Sequence, residues 1–463
     1  MKHSALQEAY AAQELFEGKT WRTSPKPWPL TGEMVEVLEG IGQASLDFYK
    51  ALETLYMRSA QGKKLLRNKE LFAPWVADYL DRGKPEKLVK ISRSAMSKGR
   101  VPPVIRPDLL VTSEGFALSE LDSVPGGIGL TGYLNELYKD SSEHPMLGSD
   151  RAMEEGFYRR MAALVPDNQS PVVAIVVSAE AGTYKPEMDW LAESLQLRGY
   201  RVYSLWDHQV FPLGDTVCFD VEGNPEKIDV IYRFFELFDI QNIKTFEFMV
   251  DAWEKGEVAI DPPLRPVFEE KLAMGLFHHH LLVDFWKENL PKKTLRILQN
   301  LIPKTWIVDP APLPPGAVLD GPVAQGRELH DWMDLAEASQ KERNLVLKIS
   351  GFHETAWGSR SVVIGNDVSK DEWRDALKQA CEMAGTHLYI IQEFKKSVKL
   401  KHPLYSEEGE VYEAMGRLRL NPYYYAHGDR VELEGCLATF CPPDKKIIHG
   451  MEDAAMLPCC VTS

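Results

Sequence analysis

Cysteine is scarce in this chain, six in 463 residues, too few for a disulfide scaffold, and most of the six sit in apolar runs as buried thiols do. A reducing compartment follows, and the cytoplasm is the expected location. Cys436 and Cys441 are five apart and Cys459 and Cys460 are adjacent, but neither pair has zinc-ligand spacing with a matching second pair. No window reaches the roughly 18 uncharged apolar residues of a membrane span. The opening MKHSALQEAYAAQELFEG carries acids where a secretory leader would be apolar. Positive charge is short as well: 53 Lys and Arg against 68 Asp and Glu give 53 − 68 = −15, which repels long nucleic acids. The dinucleotide fingerprint G-x-G-x-x-G is missing from the loop where it would belong, which holds only Gly182. There is no internal repeat and no low-complexity segment.

What remains is an ordinary globular composition, 44% hydrophobic and 26% charged, with length for about three domains at roughly 150 residues each. Residues 35–98 read as helical scaffold, with Val35, Leu38, Ile41, Leu46, Phe48, Leu52 and Leu55 at three-to-four spacing. Ile105–Thr112, a Ser113-Glu114-Gly115 turn and Phe116–Asp122 read as a β-hairpin. Residues 133–163 are again helical. Val172–Val177, an amphipathic helix over Pro186–Arg198, Tyr200–Leu205 and Ile228–Phe234 form a right-handed βαβ unit extended by one strand, a small α/β domain. A helical block to about Leu301, a Pro/Gly-rich loop (Pro310–Gly326) and a helical stretch to about Ser339 come next. The β-rich end contains NLVLKIS, the loop GFHETAWGSRS, VVIG, a helix opened by the Ser369/Glu372 capping box, HLYIIQEF, and an antiparallel pair turning at Gly428-Asp429.

Three constellations could carry chemistry. Side chains two apart on a strand share a face, so Glu120 and Asp122 lie side by side and Asp108 can oppose them. Such a carboxylate patch suits a hard divalent cation, Mg²⁺ or Mn²⁺; the alternative is a solvated acidic hairpin. Arg106 shares the face of Asp108, and Val124–Gly129 follows as a backbone-donor loop suited to an anion. The second is Lys348 on its strand beside the glycine-bounded loop Gly351 to Gly358 and Arg360, which could close over a triphosphate; the alternative is an ordinary hairpin with an ion-paired lysine. In the third, an apolar strand runs into Gln392-Glu393-Phe394, where an adenine could use the backbone and a ribose the carboxylate. His278-His279-His280 point in different directions on a helix and form no shared metal site.

Together these parts resemble an ATP-grasp enzyme, and, because the acidic hairpin precedes the lysine strand, its circularly permuted branch. The chain is specifically similar to the synthetase domain of glutathionylspermidine synthase. That family's R-x-D strand and Y-E-Y-N-A-D strand are matched by RPDLLVTSEGFALSELDSVPGG. Its S-N-K-A lysine is matched by Lys271 in PVFEEKLAMGLFHHHLLVDFW, and its K-P-x-x-G-R-x-G lysine by Lys348 in LKISGFHETAWGSRS. The family's amidase domain has no counterpart here, its metal-binding Asn is replaced by Asp122, and the connection between the two lysines is longer.

The resemblance implies an α+β, ATP-grasp-like fold with an inserted preATP-grasp-like domain. Residues 1–165 would form the helical segment and metal-bearing hairpin, 166–258 the insert, and 259–463 the lysines, flap, hinge and C-terminal strands. It implies an ATP- and Mg²⁺-dependent ligase joining a small-molecule carboxylate to an amine through an acyl phosphate. Asp108, Glu120 and Asp122 would bind metal, Lys271 and Lys348 the triphosphate, Gly351 and Gly358 would bound the flap, and Gln392 and Glu393 would meet adenine and ribose. Arg106 would stabilise the transition state, with Lys348 beside it, and Arg417 and Arg419 are further candidates for anion contacts. Non-catalytic nucleotide binding, as in an assembly protein, and phosphotransfer without amide formation are the competing readings. The charge balances locally: three carboxylates and a triphosphate of roughly −4 meet two Mg²⁺ and three cations, about −7 against +7. The remaining acidic surface would steer a basic amine toward the protein.

Overall fold

The computed structural model describes residues 1–148, 150–314, 316–358, 360–450 and 452–462. Its architecture is α+β, organised around a seven-stranded sheet. In spatial order the strands are Trp28–Thr31, Ala455–Thr462, Arg430–Cys441, Val411–His427, Val104–Thr112 and Gly115–Asp122, with Lys399–Tyr405 also pairing on Val411–His427. The hairpin read from the sequence is therefore the margin of a larger sheet. The long C-terminal hairpin turns at Gly428-Asp429, His427 facing Arg430.

The helix Gly32–Ala60 covers one face of this sheet. Thr31 opens it by accepting the Met34 N–H at 3.2 Å, and Leu38, Ile41, Leu46, Phe48, Leu52 and Leu55 enter the main core. The rest of the expected helical scaffold is broken into Pro74–Asp81 and Glu86–Arg93. On the opposite face Ile128–Lys139 and Ala152–Ala162 bury Ile128, Leu134, Met153 and Phe157 against Tyr423, Tyr425 and Leu437.

The small α/β unit has an all-parallel sheet in the order Ala259–Asp261, Val230–Phe234, Val173–Val177 and Val202–Trp206, with the helix Lys185–Gln196 in its first crossover. Its edge strand lies just beyond residue 258, where the resemblance places the end of the insert. Val173, Ile175 and Val177 face the core shared with the body, while Val172, Ala174 and Val176 face a separate core, so this central strand is buried on both sides. A three-stranded antiparallel meander, Phe211–Leu213, Thr216–Val221 and Asn224–Lys227, was not legible in the sequence.

A third, antiparallel sheet orders Thr305–Val308, Tyr389–Glu393, Leu345–Ile349 and Val363–Ile364. The helix Lys370–Met383 packs on it and starts with the expected box: Ser369 Oγ accepts the Glu372 N–H at 3.2 Å, and Glu372 accepts the Ser369 N–H at 2.7 Å. The stretch expected to be helical up to Ser339 is a short 3-10 segment, Trp332–Glu337.

Where body and small unit meet, the glycine loop serves packing. Gly127 has φ +89°, and a Cβ there would lie 2.2 Å from the Tyr423 hydroxyl; a Cβ on Gly129 would lie 2.2 Å from the Glu187 carbonyl. Gly127→Ala combines left-handed strain with overpacking and is expected to cost about 2–4 kcal/mol, read as a lowered urea midpoint. An unchanged midpoint would contradict this packing role.

Candidate active site

The hairpin register sets Arg106 opposite Asp122 and Asp108 opposite Glu120, with an irregularity immediately after Asp108. The neighbouring strand Val411–His427 adds two residues. Asp108 is 3% exposed and saturated: its Oδ1 accepts from Arg106 Nε at 3.0 Å and Asn421 Nδ2 at 2.5 Å, and its Oδ2 meets Arg419 Nη1 at 2.8 Å. Arg106 also bridges to Asp122 Oδ2 at 2.8 Å and donates to the Gly126 carbonyl at 3.0 Å. Burial works against the Arg106 charge, but Asp108 and Asp122 outweigh it and hold the guanidinium firmly protonated. Asp122 has the opposite balance. Burial and its carboxylate neighbours raise its pKa despite Arg106 and the Val124 N–H.

Lys271 immediately precedes the helix Leu272–His278, 2.8 Å from Glu120 Oε1, and donates to the Ala356 carbonyl of the flap at 2.7 Å. Burial opposes both charges of this pair, yet their attraction prevails, raising the lysine and lowering the carboxyl. The flap is drawn onto the site at its base and near its end. A Cβ on Gly351 would lie 2.6 Å from the Glu269 carbonyl, so only glycine permits that approach. Beyond Gly358 (φ +64°), Arg360 stacks over Trp357 at 4.4 Å and meets Glu180 of the small unit at 3.0 Å.

These groups border a cavity of about 340 Å³, within the size range of small-molecule sites. Arg106, Asp122, Lys271 and Arg419 line its body side, and Tyr184, Phe234, Glu236 and Asp239 the side of the small unit. Lys348, Gln392 and Glu393 lie apart from this lining. Lys348 is 7% exposed, donates to the Ser119 carbonyl at 2.9 Å and to Gln392 Oε1 at 3.0 Å, and burial pushes its pKa down to about 8. Gln392 in turn donates to Thr305 Oγ1 at 3.0 Å, so its side chain positions the lysine. The Glu393 N–H is used by the Lys304 carbonyl at 2.9 Å, and its carboxylate lies 3.5 Å from Lys395 Nζ.

Among the described residues no group of three or more His, Cys, Asp and Glu side chains is disposed to hold a metal ion. Glu120 and Asp122 line the cavity and are the oxygen donors that fit a hard cation there, whereas Asp108 is fully engaged by two guanidiniums and an amide. Arg417 is also engaged elsewhere: it is buried and donates to the carbonyls of Pro443, at 2.9 Å, and Ser397. The loop Val124–Gly129 already meets a carboxyl group, since the Gly127 N–H donates to Glu187 Oε1 at 2.6 Å. Sequence reasoning missed Asn421, although the alternation Arg417, Arg419, Asn421 placed it on the face of Arg419. It also missed Glu187, Glu236 and Glu269, which no local pattern marks. Glu269 is paired with Arg233 at 2.6 Å. Burial and the Glu269 carboxylate raise Glu236 well above the usual carboxyl range.

No protein-family model matches the chain, nor does any curated protein. Among solved structures, a glutathione synthetase-like effector from Globodera pallida superposes with a TM-score of 0.56 at 10% identity, covering 99% of this chain and 96% of that one. A protein assigned as gamma-glutamylcysteine synthetase from Methylobacillus flagellatus aligns at 12% identity over 87% of this chain and 82% of its own, TM-score 0.41. D-alanyl-alanine synthetase A from Vibrio cholerae aligns at 9% identity over 63% and 90%, TM-score 0.27. The last two values are too low to argue from. The first shows a shared fold along nearly the whole of both chains.

Glu187 yields a pH prediction. Burial holds its carboxyl up to about 7, against an ordinary value of 4.5, despite the Gly127 N–H. The folded protein therefore binds more protons than the unfolded chain between those values, and stability falls as pH rises through that window. Glu187→Gln should flatten part of the fall, Glu434, likewise held up to about 7, keeping its share. Urea midpoints from pH 4.5 to 7 test this, and an unaltered slope would rule out the assignment.

Proposed function

We propose that the chain is an ATP-dependent, ADP-forming carboxylate–amine ligase of the circularly permuted ATP-grasp type, related to the synthetase domain of glutathionylspermidine synthase. The observation that carries this reading is the convergence of Arg106, Glu120, Asp122 and Lys271 on one cavity beneath a glycine-bounded flap. The chain order, with the hairpin at 104–122 ahead of the lysine strand Leu345–Ile349, supports the permuted arrangement, and the glutathione synthetase-like fold supports the ligase class. The small parallel unit, residues 166–258 extended through Asp261, supports the inserted domain.

The ion pairs are suited to exchange. Lys271 can pass from Glu120, and Arg106 from Asp122, to the oxygens of a triphosphate, freeing the two carboxylates to hold Mg²⁺, with Asp108 keeping Arg106 and Arg419 in register. Bound there, the metal supplies charge neutralisation. A substrate carboxylate oxygen attacks the γ-phosphorus as its bond to ADP breaks. The amine nitrogen then attacks the acyl phosphate carbonyl, and phosphate leaves with the C–O bond pair. Lys348, released from the Ser119 carbonyl, would join the phosphate contacts, with Gln392 and Glu393 near adenine and ribose. All six cysteines are free thiols and no described helix is long and apolar enough to cross a membrane, which supports a cytoplasmic setting.

One observation favours a second reading, nucleotide binding without turnover: Lys348 is buried and its ammonium already has two acceptors. Incubation with ATP, Mg²⁺ and paired carboxylates and amines separates the readings. The ligase should release ADP and phosphate with an amide product, and Lys348→Met should lower turnover by about 100-fold or more. AMP and pyrophosphate, a stable phosphorylated acceptor formed without amine, or thermal stabilisation by ATP without turnover would each overturn it.

A further inference from the structure

One peptide unit beside the cavity is held from both ends. The carbonyl of Gly126 accepts from Arg106 Nη1 at 3.0 Å and from the Tyr423 hydroxyl at 2.8 Å. The N–H at the other end of the same unit, that of Gly127, donates to Glu187 Oε1 at 2.6 Å. Glu187 belongs to the helix Lys185–Gln196 of the small unit, whereas Arg106 and Tyr423 stand on strands of the large sheet. Carboxyl, peptide and guanidinium thus form one hydrogen-bonded chain that crosses from the small unit to the body. Bonds in such a chain polarise one another, so a carboxyl oxygen on the N–H makes the carbonyl a better acceptor. The unit is also planar and stiff, so a displaced N–H carries its oxygen with it.

Packing fixes the same unit. A Cβ on Gly126 would lie 2.4 Å from the Tyr184 ring, one on Gly127 2.2 Å from the Tyr423 hydroxyl, and one on Gly129 2.2 Å from the Glu187 carbonyl. The loop is gripped between the small unit and the sheet, and close-packed contacts of this kind transmit displacement. Each nitrogen of Arg106 has its own partner: Nε has Asp108, Nη2 has Asp122 and Nη1 has the Gly126 carbonyl. When Asp122 gives way to a phosphate oxygen, the orientation of the guanidinium rests on Asp108 and that carbonyl.

We propose that Glu187 is a positioning residue for Arg106, holding the Gly126–Gly127 peptide so that its carbonyl aims the guanidinium into the cavity. This rests on the ligase reading for what Arg106 does once aimed, while the coupling itself stands on the three hydrogen bonds. The small α/β unit thereby takes part in placing an arginine of the body: movement of the helix Lys185–Gln196 reaches Arg106 through a single peptide.

The sequence allows this peptide to be observed alone, because Gly126-Gly127 is its one Gly–Gly pair. Full-length protein labelled with ¹³C at the glycine carbonyl and ¹⁵N at the glycine nitrogen gives one carbonyl-to-amide NMR correlation, and it belongs to this unit. Its amide proton and its carbonyl carbon should both titrate with a midpoint near 7, where burial holds the Glu187 carboxyl, and Glu187→Gln should abolish both shifts. Arg106 and Lys19 are the cations facing Glu187, and Tyr184, Tyr232 and Tyr423 are phenols that burial pushes above their ordinary range, out of this window. A correlation indifferent to pH from about 5.5 to 8.5, or one whose proton titrates while its carbonyl carbon stays fixed, would overturn the coupling.

Turnover gives a separate readout. Glu187→Leu should lower kcat about tenfold with the KM for ATP changed less than about twofold, and Glu187→Gln, whose amide oxygen still accepts the Gly127 N–H, should recover to within about threefold. In an Arg106→Lys background, Glu187→Leu should add less than about twofold, because its effect runs through Arg106. Equal losses in the Leu and Gln variants, or losses that multiply in the double variant, would overturn the positioning role. A correlation that titrates as expected in a protein with no turnover on any pairing removes the ligase and keeps the coupling; ADP-forming turnover with an unresponsive correlation does the reverse.

Discussion

The structure of the site depends on one partly buried guanidinium. Arg106 holds Asp108 on its own strand and Asp122 on the paired strand, and Asp108 ties in Arg419 and Asn421 from the next. Three strands are thereby locked by a charge lattice, not by backbone pairing alone. Removing one member of such a buried set leaves an uncompensated charge, typically about 3–5 kcal/mol, so the lattice constrains register as well as chemistry. The break in pairing between the two longer strands supports this view. Their partners run Arg419–Leu110 and Leu420–Leu109, then resume only at Tyr424–Ile105, and the Arg106–Asp108 segment with its side-chain bonds fills the interval.

Around this fixed centre, the remaining contacts can be remade. Lys271 is shared between Glu120 and the flap carbonyl of Ala356, while Arg360 joins the flap to Glu180 on the small unit. One flap thus contacts both walls of the cavity, so its position reports on both. Lys348 stands deeper, held by Gln392 within its own sheet, and Gln392 is in turn held by Thr305. The contacts of Asp108 with Arg106, Arg419 and Asn421 form the fixed set, and the Arg106–Asp122 and Lys271–Glu120 pairs are the ones the proposed exchange would remake, a division suited to preorganised electrostatics.

Much of this was legible in the sequence where a local rule applied. The alternation of Glu120 and Asp122 across from Arg106 and Asp108 predicted the shared face, the Ser369/Glu372 box marked its helix, and the Gly428-Asp429 turn marked the long hairpin. What escaped depends on contacts between distant segments. The glycine loop looks like a site for an external anion, but Glu187, sixty residues away, supplies the carboxylate. Asp108 reads from the sequence as a metal ligand, and its contacts with Arg419 and Asn421, some three hundred residues later, are not legible there. Trp28–Thr31 pairs with Ala455–Thr462 across nearly the whole chain, and no local pattern announces it. Gln392 was placed correctly at the end of its strand, but period-two geometry alone does not show that its side chain reaches Lys348 and Thr305.

The exchange of ion pairs for triphosphate and metal is the central claim, and its most direct test is calorimetric titration with a non-hydrolysable ATP analogue, with Mg²⁺ and with EDTA. One analogue per chain should bind in Mg²⁺, and affinity should fall about tenfold or more in EDTA, because Glu120 and Asp122 then lie against the phosphates without a cation between. Binding of equal strength in both, or none in Mg²⁺, would contradict it.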